Sequence, residues 1–435
     1  LRSCCQIKPP AGQYLTTHAV DLARTPDGTW RVVKDLTQSP PGAGYALENR
    51  LVVSRTFPTM YRDCRIERLA PYFAALRDTL SFLAGGKTLT PHIVVLSPGP
   101  HSSSYFEHAY IARYLGFTLA QGNDLTVRDN QVFLKTLTGL RKVDVILRRL
   151  ADSYCDPLEL EGESMLGVPG LVQAAAAGEV VVANALGSGL AETPAMLPYI
   201  PQLSEHLLGE TPMLATLETL WCGQEESLSR VLGQFDQWVI KRAFTGIREK
   251  PVFVSTLSPE ERVQLTERIM ANPAQFIAQE NIYLSSSPCW QESRLVARHT
   301  MLRAFIVATQ DGWKVMPGGL VRTAKQPDSN IVSMESGGGS KDTWVQARGA
   351  VVPFSLLPRE ESQIPLSRND DNLSSRVADN LFWLGRYVQR ADMQARLLRT
   401  ILRRLTEETL PDGSPELPEL LRTLVAVTDQ APAMD

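Results

Sequence analysis

Two short apolar runs that flank a turn form the first clear pattern of the chain. Thr25, Pro26, Asp27 and Gly28 are turn-forming residues, so segment 19–35 (AVDLARTPDGTWRVVKD) predicts a β-hairpin. Further apolar runs are typical of buried strands, and segments with helical periodicity alternate with them. The strand-like runs are 92–100, 143–149 and 179–186, and the helical segments are 71–85 and 104–116. This alternation predicts an α/β layer.

The third quarter of the chain is rich in strand-like runs around one well-marked helix. Ser258 at the N-cap, Pro259 at the first helical position and Glu261 two residues later form a capping box, which predicts a helix from about 258 to 273. The strand-like runs are 237–244, 274–284, 302–309, 313–321 and 330–334.

A long basic helix is predicted from about Ser374 to Glu408. Its apolar stripe consists of Val377, Leu381, Leu384, Val388, Ala391, Ala395, Leu398, Leu402 and Leu405. Because a stripe of this kind is normally buried, we expect it to pack against other helices, from a helical-domain partner or a second copy of the chain, and not against a catalytic site.

Composition narrows the class of protein. With 435 residues, 43% hydrophobic and 21% charged, the chain is typical of a globular protein of several domains. A net charge of -3 predicts neither a nucleic-acid nor a membrane partner, and no run of the sequence predicts a membrane span. The six cysteines form no C-x-x-C pair, which favours a reducing cytoplasm. We also expect residues upstream of Leu1 to be missing.

The stretch GGGSKDTW (337–344) raises the question of phosphate binding. It is not a Walker A motif, because Ser340 separates the last glycine from Lys341. Its glycines could form a backbone nest for an anion, and a Gly-Ser turn between strands is the alternative interpretation.

Three polar signals on predicted strands are consistent with a nucleotide site. Lys241 is a candidate phosphate-binding lysine, Gln279 and Glu280 candidate hinge residues for adenine, and Asp21 and Asp35 candidate ligands of Mg²⁺. Each has an ordinary alternative, because strand-end lysines and Gln-Glu pairs are usually solvated and hairpin aspartates usually form turns.

A further candidate site follows the strand-like run 92–100. There PGPHSSSYFEH leads into a helix whose first N–H groups could bind an anionic substrate. His101 and Glu107 are nearby in the sequence, and Arg149 is at the end of the strand-like run 143–149. A structural role for Glu107 at the helix N-terminus, or an internal ion pair for Arg149, is the alternative.

In order along the chain, these segments resemble the circularly permuted ATP-grasp family, which is related to the synthetase half of glutathionylspermidine synthase. The resemblance covers roughly residues 15 to 350. It rests on DLARTPDG, PPGAGYALENR, SPGPHSSSYFEHAYIARYLG, VDVILRR, CDPLEL, LGVPGL, VVVANALGSG, IAQENIYLSSSP, MPGGLVRTA and GGGSKDTWV. Beyond it, SSRVADNLFWLGRYVQRADMQARLLR resembles the opening helix of the alpha-E helical domain.

The resemblance implies an α/β (α+β) fold, a circularly permuted ATP-grasp body with a C-terminal all-α segment. We expect an N-terminal part with the hairpin (1–90), an α/β subdomain (91–200), a nucleotide-binding part (201–360) and the start of a helical domain (372–435). The implied activity is ATP-dependent ligation of a carboxylate and an amine through an acyl phosphate, with ATP and Mg²⁺ as cofactors and a small acid, amino acid or peptide as substrate.

The resemblance also assigns roles to residues. The residues that would contact ATP are Lys241, Gln279, Glu280, Asn281, Ile282, Gly337, Gly338 and Gly339. The transferred group would contact Arg303, Ser340 and Lys341. Mg²⁺ would be bound by Asp21 and Asp35, and the substrate by His101, Glu107 and Arg149.

The chain departs from the family pattern at two places. Where many members carry Glu and Asn two residues apart, it has Lys34 and Leu36, and strand alternation places the intervening Asp35 on the opposite face unless the strand bulges. The loop after Lys241 has a single glycine, Gly246. The alternative functions are therefore a catalytically impaired homologue that binds a nucleotide or peptide, and a small-molecule kinase.

Overall fold

The computed structural model describes residues 2–85, 90–244, 249–327, 329–356, 373–406 and 416–429. The chain separates into two compact units. The larger one comprises residues 1–134 and 141–366, and the smaller one residues 135–140 and 367–435. The loop around Gly246, which the sequence singled out, lies outside the described residues.

The strands are β1 (Thr17–Arg24), β2 (Trp30–Leu36), β3 (Ile93–Leu96), β4 (Thr118–Ala120), β5 (Leu125–Arg128), β6 (Gln131–Thr136), β7 (Gly139–Lys142), β8 (Val145–Arg148), β9 (Val181–Ala183), β10 (Thr219–Trp221), β11 (Trp238–Arg242), β12 (Val252–Phe253), β13 (Phe276–Glu280), β14 (Ser286–Gln291), β15 (Arg294–Thr309), β16 (Gly312–Val315), β17 (Leu320–Thr323) and β18 (Ser340–Asp342).

The α-helices are α1 (Ala43–Thr56), α2 (Pro58–Asp63), α3 (Ala70–Leu83), α4 (Tyr105–Leu115), α5 (Leu171–Ala176), α6 (Ile200–Leu208), α7 (Glu225–Gly233), α8 (Pro259–Ala271), α9 (Ser375–Thr406) and α10 (Leu417–Asp429).

A large antiparallel sheet is built on the long strand β15. Its order is β18-β17-β15-β1-β2, and β14 and β16 also pair with β15. The predicted hairpin is confirmed as β1 and β2. The run 313–321 is two strands rather than one, β16 and β17, because the chain turns through Pro317, Gly318 and Gly319.

Two four-stranded sheets also belong to the larger unit, and β5, β6 and β7 form a separate three-stranded sheet. One four-stranded sheet is antiparallel, in the order β10-β13-β11-β12. The other is parallel, in the order β4-β3-β8-β9, and it confirms the predicted α/β layer. All four residues of β3 and all four of β8 are buried, as expected for a parallel sheet that is covered by other elements.

Local signals of the sequence are confirmed at α8. The Ser258 side chain accepts a hydrogen bond from the backbone N–H of Glu261, and the Glu261 carboxylate accepts one from the N–H of Ser258. Segment 330–334, by contrast, forms no strand. Among the described residues, no helix combines the length and the apolar character that crossing a membrane requires.

The smaller unit contains α9 and α10. The predicted long helix is confirmed as α9, but its apolar stripe is largely exposed, including Leu384, Leu398 and Leu402. Ile401, outside the predicted stripe, is the buried residue of α9. Helix α10 packs against α9 but leaves most of this stripe exposed, and the expectation that a helical partner or a second copy of the chain covers it stays a prediction.

Candidate functional site

A cavity of about 260 Å³ lies between the β1–β2 hairpin and the sheet that contains β11 and β13. Val239, Leu284 and Met301 give it apolar walls, and the segment Asn330–Ser333 lies along it. We call it the Lys241 pocket. Its volume is close to the lower end of ligand-binding pockets, roughly 300 Å³.

Lys241 on β11 lines this pocket and is held in place by Gln279 on the neighbouring strand β13. The Lys241 ammonium donates a hydrogen bond to the Gln279 side-chain oxygen. The Gln279 amide donates in turn to the carbonyl of Val33 at 3.2 Å and to the Thr219 hydroxyl at 3.1 Å. Gln279 is itself buried, and its hydrogen bonds join β2, β10, β11 and β13 beside the pocket.

Burial, together with the nearby charge of Lys34, lowers the pKa of Lys241 to about 8, while the charge of Asp21 opposes the shift. The ammonium group has no carboxylate within ion-pair distance among the described residues. A half-buried cation without an acidic partner is costly, and an anionic ligand would stabilise its charged form.

Asp21 also lines the pocket, but its carboxylate is fully engaged. Asp21 and Arg303 are directly opposite each other on β1 and β15, and the guanidinium donates to both carboxylate oxygens, at 2.7 and 2.9 Å. Arg322 on β17 lies 2.8 Å from the same carboxylate. Burial acts to raise the pKa of Asp21, but the two arginines outweigh it, so the pKa lies below its ordinary value.

A bulge in the hairpin decides which residues of β2 reach the pocket. The pairing shifts between Asp21 and Leu22, since Asp21 faces Lys34 whereas Leu22 faces Val32. Val33 and Lys34 consequently both line the pocket, with Lys34 exposed at the opening. A bulge of this kind re-aims side chains beside a site.

Asp35, the second predicted Mg²⁺ ligand, does not line the pocket. Its carboxylate lies 2.9 Å from the His18 ring nitrogen Nε2. The bulge therefore does not bring Asp35 to Asp21. Among the described residues, no group of three or more His, Cys, Asp and Glu side chains could hold a metal ion.

The predicted adenine hinge does line the pocket, through Gln279, Glu280, Asn281 and Ile282. The Glu280 carboxylate accepts a hydrogen bond from Arg31 at 3.1 Å, and the N–H of Asn281 donates to the Gln237 carbonyl at 2.9 Å. These contacts hold the C-terminal end of β13 in place, and segment 279–282 lines the cavity.

The glycine-rich stretch lies elsewhere. The N–H groups of Gly337, Gly338 and Gly339 donate to Met334, Ser333 and Thr323, so they do not converge on an empty nest. The side chain of Lys341 donates to the Pro288 carbonyl. With Ser340, the stretch borders a different surface depression, beside Arg298 and Lys325. The structure thus favours the alternative interpretation, a turn that leads into β18.

The strand β18 is in addition tied to α1. Arg50 donates to the Asp342 carboxylate at 2.7 Å, and Asn49 donates to the Ser340 hydroxyl at 3.1 Å. The predicted contacts of Ser340 and Lys341 with a transferred group would need these residues at the Lys241 pocket, where the structure does not place them. Arg303 does not line the Lys241 pocket either. It contacts Asp21, which does line the pocket.

The three predicted substrate residues are also apart from the pocket. The Glu107 carboxylate is fully buried and accepts hydrogen bonds from the N–H groups of Gly42, at 2.7 Å, and Gly44, at 3.0 Å. Arg149 donates to the Pro40 carbonyl at 2.9 Å, and His101 is exposed. Glu107 caps the start of α1, rather than that of its own helix α4, which the sequence could not show.

Two charged residues of the pocket were not assigned to it from sequence. Lys34 was noted only as a departure from the family pattern, and Arg322 only as part of the run MPGGLVRTA. The signal for Lys34 was its position next to the hairpin aspartate. No local signal marks Arg322, because its place at the pocket depends on the pairing of β17 with β15.

The family is defined by comparison with known sequences. Residues 1–324 match the family described as circularly permuted ATP-grasp type 2, and the chain belongs to that family. Residues 373–434 match Alpha-E, described as a predicted alpha-helical domain with a conserved ER motif. Both parts of the expected fold are thereby confirmed, the permuted ATP-grasp body and the helical segment behind it.

Curated proteins similar to this chain include several that are described as uncharacterised. One from Synechocystis sp. is 39% identical over 345 residues, which cover 79% of this chain and 72% of the relative. One from Mycobacterium tuberculosis is 38% identical over 346 residues, or 80% of this chain and 63% of the relative. Another from the same organism is 38% identical over 405 residues, or 92% of this chain and 45% of the relative. The chain thus spans about half to three quarters of the length of these relatives.

Solved structures with a partial similarity include a glutathione synthetase-like effector of Globodera pallida. It is 12% identical, with a TM-score of 0.48, over 78% of this chain and 77% of that one. A putative gamma-glutamylcysteine synthetase of Methylobacillus flagellatus is 12% identical, with a TM-score of 0.42, over 80% of this chain and 82% of that one.

Proposed function

We propose that the Lys241 pocket binds ATP and that the chain is the ATP-grasp part of an ATP-dependent carboxylate–amine ligase. The observation that carries this proposal is the convergence of Lys241 with segment 279–282 on one cavity of about 260 Å³. The predicted phosphate lysine and the predicted adenine hinge are about 40 residues apart in the chain, and they meet because β11 and β13 are neighbours in one sheet.

The cavity has the two environments that a nucleotide requires. The apolar side chains Val239, Leu284 and Met301 suit a flat base, and the cations Lys34, Lys241 and Arg322 suit phosphate oxygens. The residues present therefore fit ATP, with the base against segment 279–282 and the phosphates toward Lys241. Charge-assisted hydrogen bonds from these cations would be among the stronger contacts of the complex.

In the proposed reaction the γ-phosphoryl group passes from ATP to a substrate carboxylate, and an amine then displaces phosphate from the acyl phosphate to form an amide. The products are the amide, ADP and phosphate. The contribution of the chain is to hold the phosphates beside preorganised cations that offset developing negative charge. A small acid, amino acid or peptide is the proposed substrate class, and the cytoplasm the proposed location.

The residues present do not fit a protein-bound Mg²⁺ ion. Both oxygens of Asp21 accept hydrogen bonds from Arg303, Asp35 pairs with His18, and Lys34 carries the wrong charge for a metal ligand. This favours a second candidate function, a nucleotide-binding homologue without ligase turnover.

Substitution of Lys241 tests the nucleotide assignment. Lys241→Ala should weaken ATP binding roughly tenfold to a hundredfold, because a charge-assisted hydrogen bond contributes about 1.5 to 3 kcal/mol and each 1.4 kcal/mol is a factor of ten. Calorimetry on the full chain gives the affinity, with Lys241→Met as a variant that retains the apolar stem and Lys8→Ala, at an exposed lysine, as the control. ATP binding that is equal in all four proteins would contradict the assignment.

Release of ADP separates the two candidate functions. A ligase should release ADP when ATP is supplied with a pool of acids and amines, and Lys241→Ala should lose turnover as well as affinity. A binding module should bind ATP with the same lysine dependence and release no ADP under any combination of acids and amines.

A further inference from the structure

The charges of the Lys241 pocket are unbalanced toward the positive. Among the described residues, the charged side chains that line it are Lys34, Lys241, Arg322, Asp21 and Glu280. Both carboxylates are paired with arginines that lie outside the lining, Asp21 with Arg303 and Glu280 with Arg31. Arg303 and Arg31 offset the two acids, and although Arg322 also lies 2.8 Å from Asp21, the lining keeps an excess of positive charge that attracts a ligand of high negative charge.

Two of these cations also have unfilled hydrogen-bonding capacity. The buried Nε of Arg322 has no hydrogen-bond acceptor within the described part of the chain. Lys241 has one acceptor, the neutral side chain of Gln279, for its three N–H groups. Buried donors are normally satisfied, so the open donors indicate that acceptor oxygens are missing at this place.

The position of Lys34 is the distinctive feature. The bulge in β2 turns its side chain toward the opening of the pocket, directly opposite Asp21 on β1. A divalent cation bound beside Asp21 would have to approach three protein cations, and the oxygens of Asp21 already accept hydrogen bonds from Arg303. The local charges therefore disfavour binding of a metal ion and favour binding of a phosphate group that has no metal ion attached.

We propose, as an extension of the proposed function, that this pocket binds the nucleoside triphosphate free of metal and that the Lys34 ammonium occupies the place of the divalent cation. The ligand is then the fully charged triphosphate, held by Lys34, Lys241 and Arg322. Lys34 is a specificity-determining residue in this arrangement, because it selects the metal-free form of the nucleotide.

The test compares ATP binding to the full chain by calorimetry in EDTA and in excess Mg²⁺. The native chain should bind ATP in EDTA at least as tightly as in Mg²⁺. Lys34→Gln should weaken the EDTA affinity by about tenfold, since one charge-assisted contact is lost. Lys34→Arg keeps the charge and should retain most of the affinity. Lys314→Gln replaces an exposed lysine on strand β16 and should leave binding unchanged.

The outcomes separate this inference from the proposed function. ATP binding that occurs in Mg²⁺ and is lost in EDTA would overturn the inference while the nucleotide assignment stands. Equal EDTA affinities for the native chain and Lys34→Gln would overturn the role of Lys34. A lack of ATP binding under both conditions would overturn the proposed function and the inference together. Because Lys34 is exposed, its replacement should not disturb folding, and circular dichroism checks this.

Discussion

At the scale of single residues, Lys241 has an unusual electrostatic environment. Lys241 donates to Gln279, stands near Lys34 and has a lowered pKa because it is buried. A lysine on an exposed strand end would have none of these properties. From the sequence, Lys241 could be described only as a cation on a strand. In the folded protein its pKa of about 8 makes it a group that titrates near neutral pH.

The lowered pKa predicts how nucleotide binding depends on pH. An anion favours the protonated form of Lys241, whose pKa in the free protein is about 8. The charged form dominates below this pH, so affinity is nearly constant there, and it falls as the pH rises through about 8. We expect ATP to bind roughly fourfold to eightfold more weakly at pH 9 than at pH 7.5, because the charged fraction of the lysine falls from about three quarters to about a tenth.

Calorimetry at a series of pH values from 7.5 to 9.5 checks this expectation. Lys241→Met carries no titratable group at this position and should show a much flatter profile. A native profile that is independent of pH, or one that Lys241→Met reproduces, would show that the ammonium of Lys241 does not contribute to binding.

At the scale of elements, the start of α1 depends on a residue far away in the chain. Gly42 has a φ of 114°, and a Cβ there would lie 2.9 Å from the side chain of Leu320. The helix has no side-chain cap of its own, and the buried Glu107 carboxylate on α4 accepts hydrogen bonds from the N–H groups of Gly42 and Gly44. This carboxylate therefore links α1 to α4.

Replacing Glu107 distinguishes this structural role from the substrate role that the sequence suggested. Glu107→Gln keeps the shape but loses the charge and one acceptor, so it should lower the free energy of unfolding by about 2 kcal/mol. Chemical denaturation measures the change, and Glu163→Gln, at an exposed glutamate, is the control. The ATP affinity of the folded variant should be unchanged, because Glu107 does not line the Lys241 pocket. A normal stability would contradict the capping role.

At the scale of the whole molecule, the chain joins a unit with well-buried clusters to a smaller helical unit with an exposed stripe. The larger unit contains the parallel sheet, the two antiparallel sheets that include β15 and β13, and the Lys241 pocket. In α9 of the smaller unit, Ile401 is 2% exposed whereas the adjacent Leu402 is 53% exposed. Neighbouring apolar residues of one helix thus contribute very differently to stability.

This contrast predicts the effect of two adjacent truncations. Ile401→Ala should lower the stability of the helical unit by about 2 to 4 kcal/mol, as large-to-small changes at buried sites do. Leu402→Ala should change it by no more than about 0.5 kcal/mol, because the side chain is already in solvent. Thermal unfolding followed by helical circular dichroism on the full chain measures both. Equal losses would show that Leu402 is covered in solution.

Much of the fold could be predicted from the sequence because its signals are local. The turn TPDG predicts the hairpin, the capping box of Ser258 predicts α8, and continuous apolar runs predict the buried parallel strands. Segment 330–334 has a strand-like composition but forms no strand, and its residues 330–333 line the pocket instead. In that case the pattern of side chains did not reveal whether a neighbouring strand would pair with the backbone.

The sequence by itself determined most of the elements, the family resemblance and the presence of a cation at position 241, since each of these depends on residue type and on neighbours along the chain. Only the tertiary structure decided which charges meet. Strand pairing places Arg303 opposite Asp21, a bulge brings Lys34 to the pocket while Asp35 pairs with His18, and the glycines at 337–339 are engaged at β17 and its neighbours. The physical reason is that charges act through space, so their balance in the pocket depends on the register between strands that are far apart in sequence.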